Sequence, residues 1–244
     1  MLWLRSGLFL VGWIVTTVFF GLTTLLTAPL PFDWRWRYVR LFALFNLWML
    51  EHVCGLRFEL EGGEHIPPGP AIIFSKHQST WETLMLQRVF PPLVWVLKRE
   101  LLRIPFFGWG LALMRPIAID RKAGRHAMAQ VVEQGTARLR AGHWVVVFPE
   151  GTRVPPGTCG RYRAGGAMLA AQSGFPVVPV AHNAGEHWPK GRFLKRPGTI
   201  RVVIGPPIET RGRGHEAILA ESRNWIESTM ARISTVPYPA PDDT

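Results

Sequence analysis

The sequence predicts an α/β fold: a mostly parallel sheet flanked by helices, behind an apolar amino-terminal helical segment that anchors the chain to a membrane. Three observations predict it. No charged residue occurs from Ser6 to Phe32, a longer stretch than the ~20 apolar residues a bilayer-spanning helix needs. After Gly55, short β-branched apolar runs alternate with segments of helical periodicity, the pattern of helices layered on a sheet. Four of those runs are followed at once by a polar cluster, and ligands of open α/β sheets bind where the strands end.

The apolar opening reads as an uncleaved anchor, because Ala28 is followed by Pro29, a poor position for cleavage of a signal peptide. Arg35, Arg37 and Arg40 then interleave with Trp34, Trp36 and Tyr38, the mixture expected at a membrane interface, and the cations place this end on the cytoplasmic side. The next uncharged run, Leu41 to Leu50, is too short to span and is expected to pack on the first helix or lie in the interface. Residues 1–55 therefore form the anchoring helices, 56–236 the α/β domain, and 237–244 a flexible tail.

Strands are expected at Arg57–Leu60, Ala71–Phe74, Leu93–Leu97, Pro116–Ile119, Trp144–Phe148, Val177–Val180 and Thr199–Ile204. Helices are expected over Arg125–Ala141, ended by Gly142, and over Ala217–Ile233, each with apolar residues on one face. The 28 Lys and Arg against 17 Asp and Glu give a formal charge of +11, which calls for an anionic partner. A 48% hydrophobic composition with 11 Trp and 14 Phe favours lipid over nucleic acid. Two distant cysteines, Cys54 and Cys159, supply neither a disulfide framework nor a zinc site and fit a reducing compartment.

The polar clusters are Ser75-Lys76-His77, Lys98-Arg99-Glu100, Asp120-Arg121 and Pro149-Glu150-Gly151-Thr152-Arg153. If their strands are parallel, all four meet at one edge of the sheet. Within SKHQSTWET, Glu82 has two readings. It can close a capping box with Ser79 as N-cap, or it can accept a hydrogen bond from His77 and leave the other ring nitrogen free to remove a proton. No GxSxG or HExxH motif occurs, so neither a serine nucleophile nor a metal is indicated. Gly151 places backbone amides beside Arg153, whose forked donors match phosphate geometry, and Lys98 can add a point charge. Arg121 and, in GRYRAGGA, Arg163 are further candidates for substrate binding. His182 and His187 are expected to be packed or solvent-facing.

HQSTWE, KRELLRIPFFG, AIDR, FPEGTR and VVPVAHN, in this order, resemble the glycerophospholipid acyltransferase family, over about Leu56 to Pro207. The resemblance implies a bacterial enzyme that transfers an acyl chain from acyl-CoA or acyl carrier protein to the sn-2 hydroxyl of lysophosphatidate, forming phosphatidate at the inner membrane. Alternatives are a different acceptor, such as glycerol 3-phosphate or another lysolipid, or a non-catalytic protein that binds anionic lipid. In the family's HxxxxD motif the histidine is the base and the aspartate orients it; here those roles fall on His77 and Glu82. The resemblance assigns Glu150, Gly151, Thr152 and Arg153 to the acceptor and Lys98 to its phosphate. No cofactor or metal is expected, and no nucleic acid, since the basic residues cluster at strand ends and beside the anchor; backbone amides near the helix start are expected as donors to the oxyanion.

Overall fold

The computed structural model describes residues 1–120 and 123–239. Among these residues seven strands form one sheet: β1 (Leu56–Glu61), β2 (Ile72–Ser75), β3 (Leu93–Lys98), β4 (Ile117–Ile119), β5 (Trp144–Val147), β6 (Val177–His182) and β7 (Gly198–Ile204). Their spatial order is β1-β7-β6-β2-β5-β3-β4. β6, β2, β5, β3 and β4 pair in parallel. β7 meets β6 antiparallel and carries β1 parallel to itself at the far edge. The carboxyl ends of β2, β3, β4 and β5 therefore share one edge, and the four polar clusters leave the sheet there.

Every residue of β2, β5 and β6 is buried, as expected of central parallel strands covered on both faces. Side chains alternate across the sheet. Ile73 and Val146 face a core built with Leu50, Trp81 and Leu84. Ile72, Phe74 and Val145 face the other, with Leu139, Leu169 and Met230. Those partners come from α2 (Phe32–His52), α3 (Trp81–Val89), α5 (Arg125–Arg140), α6 (Gly165–Ser173) and α8 (His215–Ile233); α1 (Leu2–Thr23), α4 (Phe107–Leu113) and α7 (Ala184–His187) complete the α-helices of the described residues. The expected terminator Gly142 follows α5 with φ of 88°, a left-handed turn that glycine adopts without strain.

α1 and the short turn after it make one helix, Leu2–Thr27, long and apolar enough to cross a membrane. It nevertheless rests on the α/β body at both ends. Near its start, the Lys195 amide donates to Ser6 Oγ at 3.0 Å and the buried Phe9 packs edge-on against Trp188. Near its finish, a Cβ on Gly21 would lie 2.5 Å from the Phe106 carbonyl oxygen, so only glycine permits that approach to the start of α4. Midway, a Cβ on Gly12 would overlap the Met49 side chain of α2, and Asn46 donates to Thr16 Oγ1 at 3.2 Å. Phe9 and Leu47 share a core with the sheet. The outward face is apolar and exposed at Trp3, Leu4, Val11, Val15, Phe19 and Leu26.

The basic residues after the anchor behave differently from the expectation of an interfacial belt. They lie on the first turns of α2, and two of the three arginines turn inward. Arg35 is buried and donates to the Leu113 carbonyl at 2.9 Å. Arg40 donates to the carbonyls of Gln87 and Arg88 at 3.0 and 2.9 Å. These carbonyls end α4 and α3, where a helix has unpaired acceptors and partial negative charge that attract a guanidinium.

Gly21→Val forces a branched side chain against backbone that cannot yield. It is expected to destabilise the protein by about 1–3 kcal/mol, read as a lower Tm in detergent micelles; an unchanged Tm would show that α1 does not depend on this approach.

Candidate active site

His77 sits in the loop between β2 and α3. Its Nδ1 lies 2.8 Å from Glu82 Oε1, and the same carboxylate accepts from the amides of Gln78 (3.0 Å) and Ser79 (2.9 and 3.0 Å). Both readings of Glu82 hold together: it closes the helix start and it orients the imidazole. The N-cap is Thr80 rather than Ser79; Ser79 Oγ instead accepts from the Trp81 amide at 3.2 Å. The extra methylene of glutamate is absorbed because the carboxylate reaches back over a full turn to the loop amides.

Glu82 is wholly buried. Burial alone would raise its pKa; the hydrogen bond from His77 first, then the electrostatic pull of the two neighbouring imidazoles and the Ser79 amide, outweigh it and hold the carboxyl below its ordinary value. An ionised Glu82 accepts the Nδ1 proton, which leaves Nε2 of His77 as the basic nitrogen. The ring is held from its face as well. It stacks on Phe148 with centroids 3.8 Å apart and planes 16° from parallel, and Phe148 stacks in turn on Trp95 at 6.0 Å.

Beneath this pair lies a buried ionic layer. The Lys76 ammonium donates to Glu150 Oε1 at 2.7 Å, Glu227 Oε1 at 3.0 Å and the Thr158 carbonyl at 3.2 Å. Glu150 Oε2 accepts from the His77 amide at 2.9 Å, and Tyr162 and Tyr238 donate to Glu227. His182, fully buried, accepts from the Ala184 amide on Nδ1 and so donates from Nε2 to the Lys76 carbonyl at 2.8 Å; it is a packed histidine, as expected. Burial raises the pKa of Glu150 against the opposing charge of Lys76, and lowers that of His182.

His77, Lys98 and Arg153 line one cavity of about 490 Å³. Its other walls are mostly apolar and come from α1, α2, α3, β3 and α4, among them Trp13, Phe20, Trp36, Phe42 and Leu111, with Thr80 and Thr83 at the start of α3. Val154, next to Arg153, donates its amide to the His77 carbonyl at 2.8 Å, which ties the FPEGTR turn to the histidine loop. The remaining candidates sit elsewhere. Glu150 is buried below, both oxygens spent on Lys76, Gly160 and His77. Gly151 turns with φ of 68° under the Arg163 side chain. Thr152 is at the surface, accepting from Lys190 at 3.3 Å, and Arg121 lies outside the described residues. The amides of Gln78 and Ser79 are taken by Glu82, so the expectation that the helix start supplies the oxyanion donors fails for these two.

Sequence reasoning missed Lys76 as a buried cation and Glu227 and Tyr238 altogether. Glu227 stands beside Ile226 and Met230 on the face of α8 that the apolar pattern marks as inward, and a charge on such a face was the available signal. Within the segment expected to be free from Pro237, Tyr238 is bonded to Glu227 and Thr158, since a buried carboxylate needs donors; residues 240–244 lie outside the described residues.

A family model described as Acyltransferase matches residues 57–183. The chain is 47% identical over 238 residues to a 1-acyl-sn-glycerol-3-phosphate acyltransferase of Pseudomonas aeruginosa, covering 96% of this chain and 93% of that one. It is 32% identical over 192 residues to the mouse protein named 1-acyl-sn-glycerol-3-phosphate acyltransferase alpha, covering 76% and 67%. The crystal structure of the 1-acyl-sn-glycerophosphate acyltransferase of Thermotoga maritima superposes with a TM-score of 0.78 at 24% identity over 97% of both chains. That likeness establishes the shared fold.

A carboxyl held below its ordinary pKa stabilises the fold above its unfolded pKa, and that stability is lost as pH falls through the folded value. Glu82→Gln removes this contribution and sets an amide NH2 against backbone N–H donors. It is expected to cost about 1–3 kcal/mol at neutral pH and to flatten the acid-side loss of stability below about pH 4, as read by denaturant titrations across pH; an unaltered acid limb would contradict the assignment.

Proposed function

The chain belongs to the acyltransferase family, and from that premise we propose that it transfers an acyl chain from acyl-CoA or acyl carrier protein to the sn-2 hydroxyl of 1-acyl-sn-glycerol 3-phosphate, forming phosphatidate. The observation that carries this reading is the His77–Glu82 pair at the wall of an apolar cavity that Lys98 and Arg153 also line. An imidazole backed by a carboxylate, in a sequence without a GxSxG nucleophile motif, suits deprotonation of a bound hydroxyl. The mostly apolar lining of the cavity suits alkyl chains, and Lys98 and Arg153 supply the counter-charge a phosphomonoester needs.

In this reading the acceptor phosphate rests against Arg153 and Lys98. Nε2 of His77 takes the proton from the acceptor hydroxyl as its oxygen attacks the thioester carbonyl. The tetrahedral intermediate collapses by breaking the C–S bond, and the imidazolium returns its proton to the departing thiolate. Thr80, on the cavity wall and free of any capping bond, is the donor we assign to the oxyanion in place of the amides held by Glu82. Glu150 acts from below, fixing the backbone of His77 rather than touching the acceptor.

The same geometry supports a membrane-surface enzyme, which we place at the cytoplasmic face of the inner membrane. α1 is in contact with the α/β body at both ends, so it lies along that body with its apolar face outward. An exposed apolar face of this extent is suited to the acyl region of a leaflet. Both the acceptor and the product are lipids, and the cavity walls include residues of α1 itself.

Purified protein assayed with lysophosphatidate and each donor type is expected to form phosphatidate; a strong preference for acceptors without phosphate would overturn the acceptor assignment. His77→Ala is expected to lower kcat by roughly 10²- to 10⁴-fold, and full turnover in that variant would end the mechanism. Arg153→Ala removes a charge-assisted contact of about 1.5–3 kcal/mol, so acceptor KM should rise by roughly 10- to 100-fold with kcat little changed.

A further inference from the structure

The segment that leaves α8, Ser234 to Tyr238, is seated at both of its ends. At the first, Ser234 Oγ donates to Glu186 Oε1 at 2.7 Å and the Thr235 amide donates to the same oxygen at 3.0 Å. Glu186 lies on α7, just past the carboxyl end of β6. At the second, the Tyr238 hydroxyl donates to Glu227 and lies 3.1 Å from the Thr158 carbonyl, in the loop that follows β5. A Cβ on Gly157 would stand 2.7 Å from the Pro237 carbonyl oxygen. The segment thus runs as a strap along the edge of the sheet from which the histidine loop emerges.

We propose that Tyr238 is a positioning residue for His77, acting through the buried chain Glu227–Lys76–Glu150. All three protons of the Lys76 ammonium have acceptors: Glu150, Glu227 and Thr158. Lys76 is therefore shared between two carboxylates, and its position is the balance of their pulls. One of them, Glu150, holds the backbone amide of His77 at 2.9 Å. The other, Glu227, is satisfied by the hydroxyls of Tyr162 and Tyr238. One ammonium between two carboxylates leaves an excess negative charge in a region closed to water, which neutral donors must disperse. Without the Tyr238 hydroxyl, Glu227 draws harder on Lys76, Glu150 loses part of its counter-charge, and the amide anchor of His77 loosens. The Lys76 ammonium also lies 5.5 Å from the centroid of the Tyr238 ring, so the ring and the hydroxyl act on the same group.

This inference rests on reading His77 as the catalytic base, and the test separates the two. In Tyr238→Phe, which keeps the ring, kcat is expected to fall about tenfold with both KM values unchanged, as small misplacement of a catalytic group costs turnover rather than affinity. Assays run well below the Tm of each variant keep loss of folded protein out of the comparison. In parallel, the Nδ1 proton of His77, identified in NMR spectra by its loss in His77→Ala, is expected to move upfield in Tyr238→Phe. Full kcat together with an unmoved Nδ1 resonance would overturn the proposal and leave Tyr238 a structural clamp. A wild-type protein without transferase activity whose Nδ1 resonance still moves in the variant would overturn the proposed function and retain the positioning role.

Discussion

One buried carboxylate organises the site. Glu82 has no contact with water, so its charge must be met entirely from within, and it is met by three hydrogen bonds from two loop amides and one from an imidazole. The requirement is mutual. The loop cannot close over the strand end without an acceptor for its amides, and the imidazole has no fixed tautomer without an acceptor for its Nδ1 proton. A side chain that closes the helix start thereby also fixes the imidazole, with no separate element needed to align the two.

A second layer repeats the principle at higher charge. Lys76, Glu150 and Glu227 are all buried, and each would be costly alone. Together with the two tyrosine hydroxyls they lock the end of β2 to the loop after β5 and to α8. Such a layer need not add stability over packed hydrocarbon; what it does in this chain is tie the loop on which His77 stands to α8 through Glu150, Lys76 and Glu227. Arg35 and Arg40 extend the same economy to the helix ends, where carbonyls otherwise unpaired meet guanidinium groups from α2.

Much of this was legible from the sequence. The seven strands fall within two residues of their expected positions, because β-branched runs between polar clusters have few other solutions in an α/β chain. The convergence of His77, Lys98 and Arg153 followed from parallel strands alone. What could not be read was the direction in which a polar side chain turns once it reaches the edge. Glu150 and Arg153 are three residues apart in one turn, yet the first faces the buried Lys76 and the second the cavity. Arg35 likewise sits among aromatics as an interfacial cation would, and only the position of the Leu113 carbonyl sends it inward. Long-range partners such as Glu227 and Tyr238 leave no mark in local periodicity beyond a charge on an apolar face.

The stack of His77 on Phe148, and of Phe148 on Trp95, bears on stereochemistry. An imidazole covered on one face and tethered through one nitrogen can accept a proton only along the in-plane lone pair of the other. An alcohol must therefore arrive edge-on, with its O–H vector in the plane of the ring. With its ring plane fixed by the aromatic column beneath it, His77 offers that lone pair in one direction only, so in the proposed reaction an acceptor held against Lys98 and Arg153 would meet it in a single orientation.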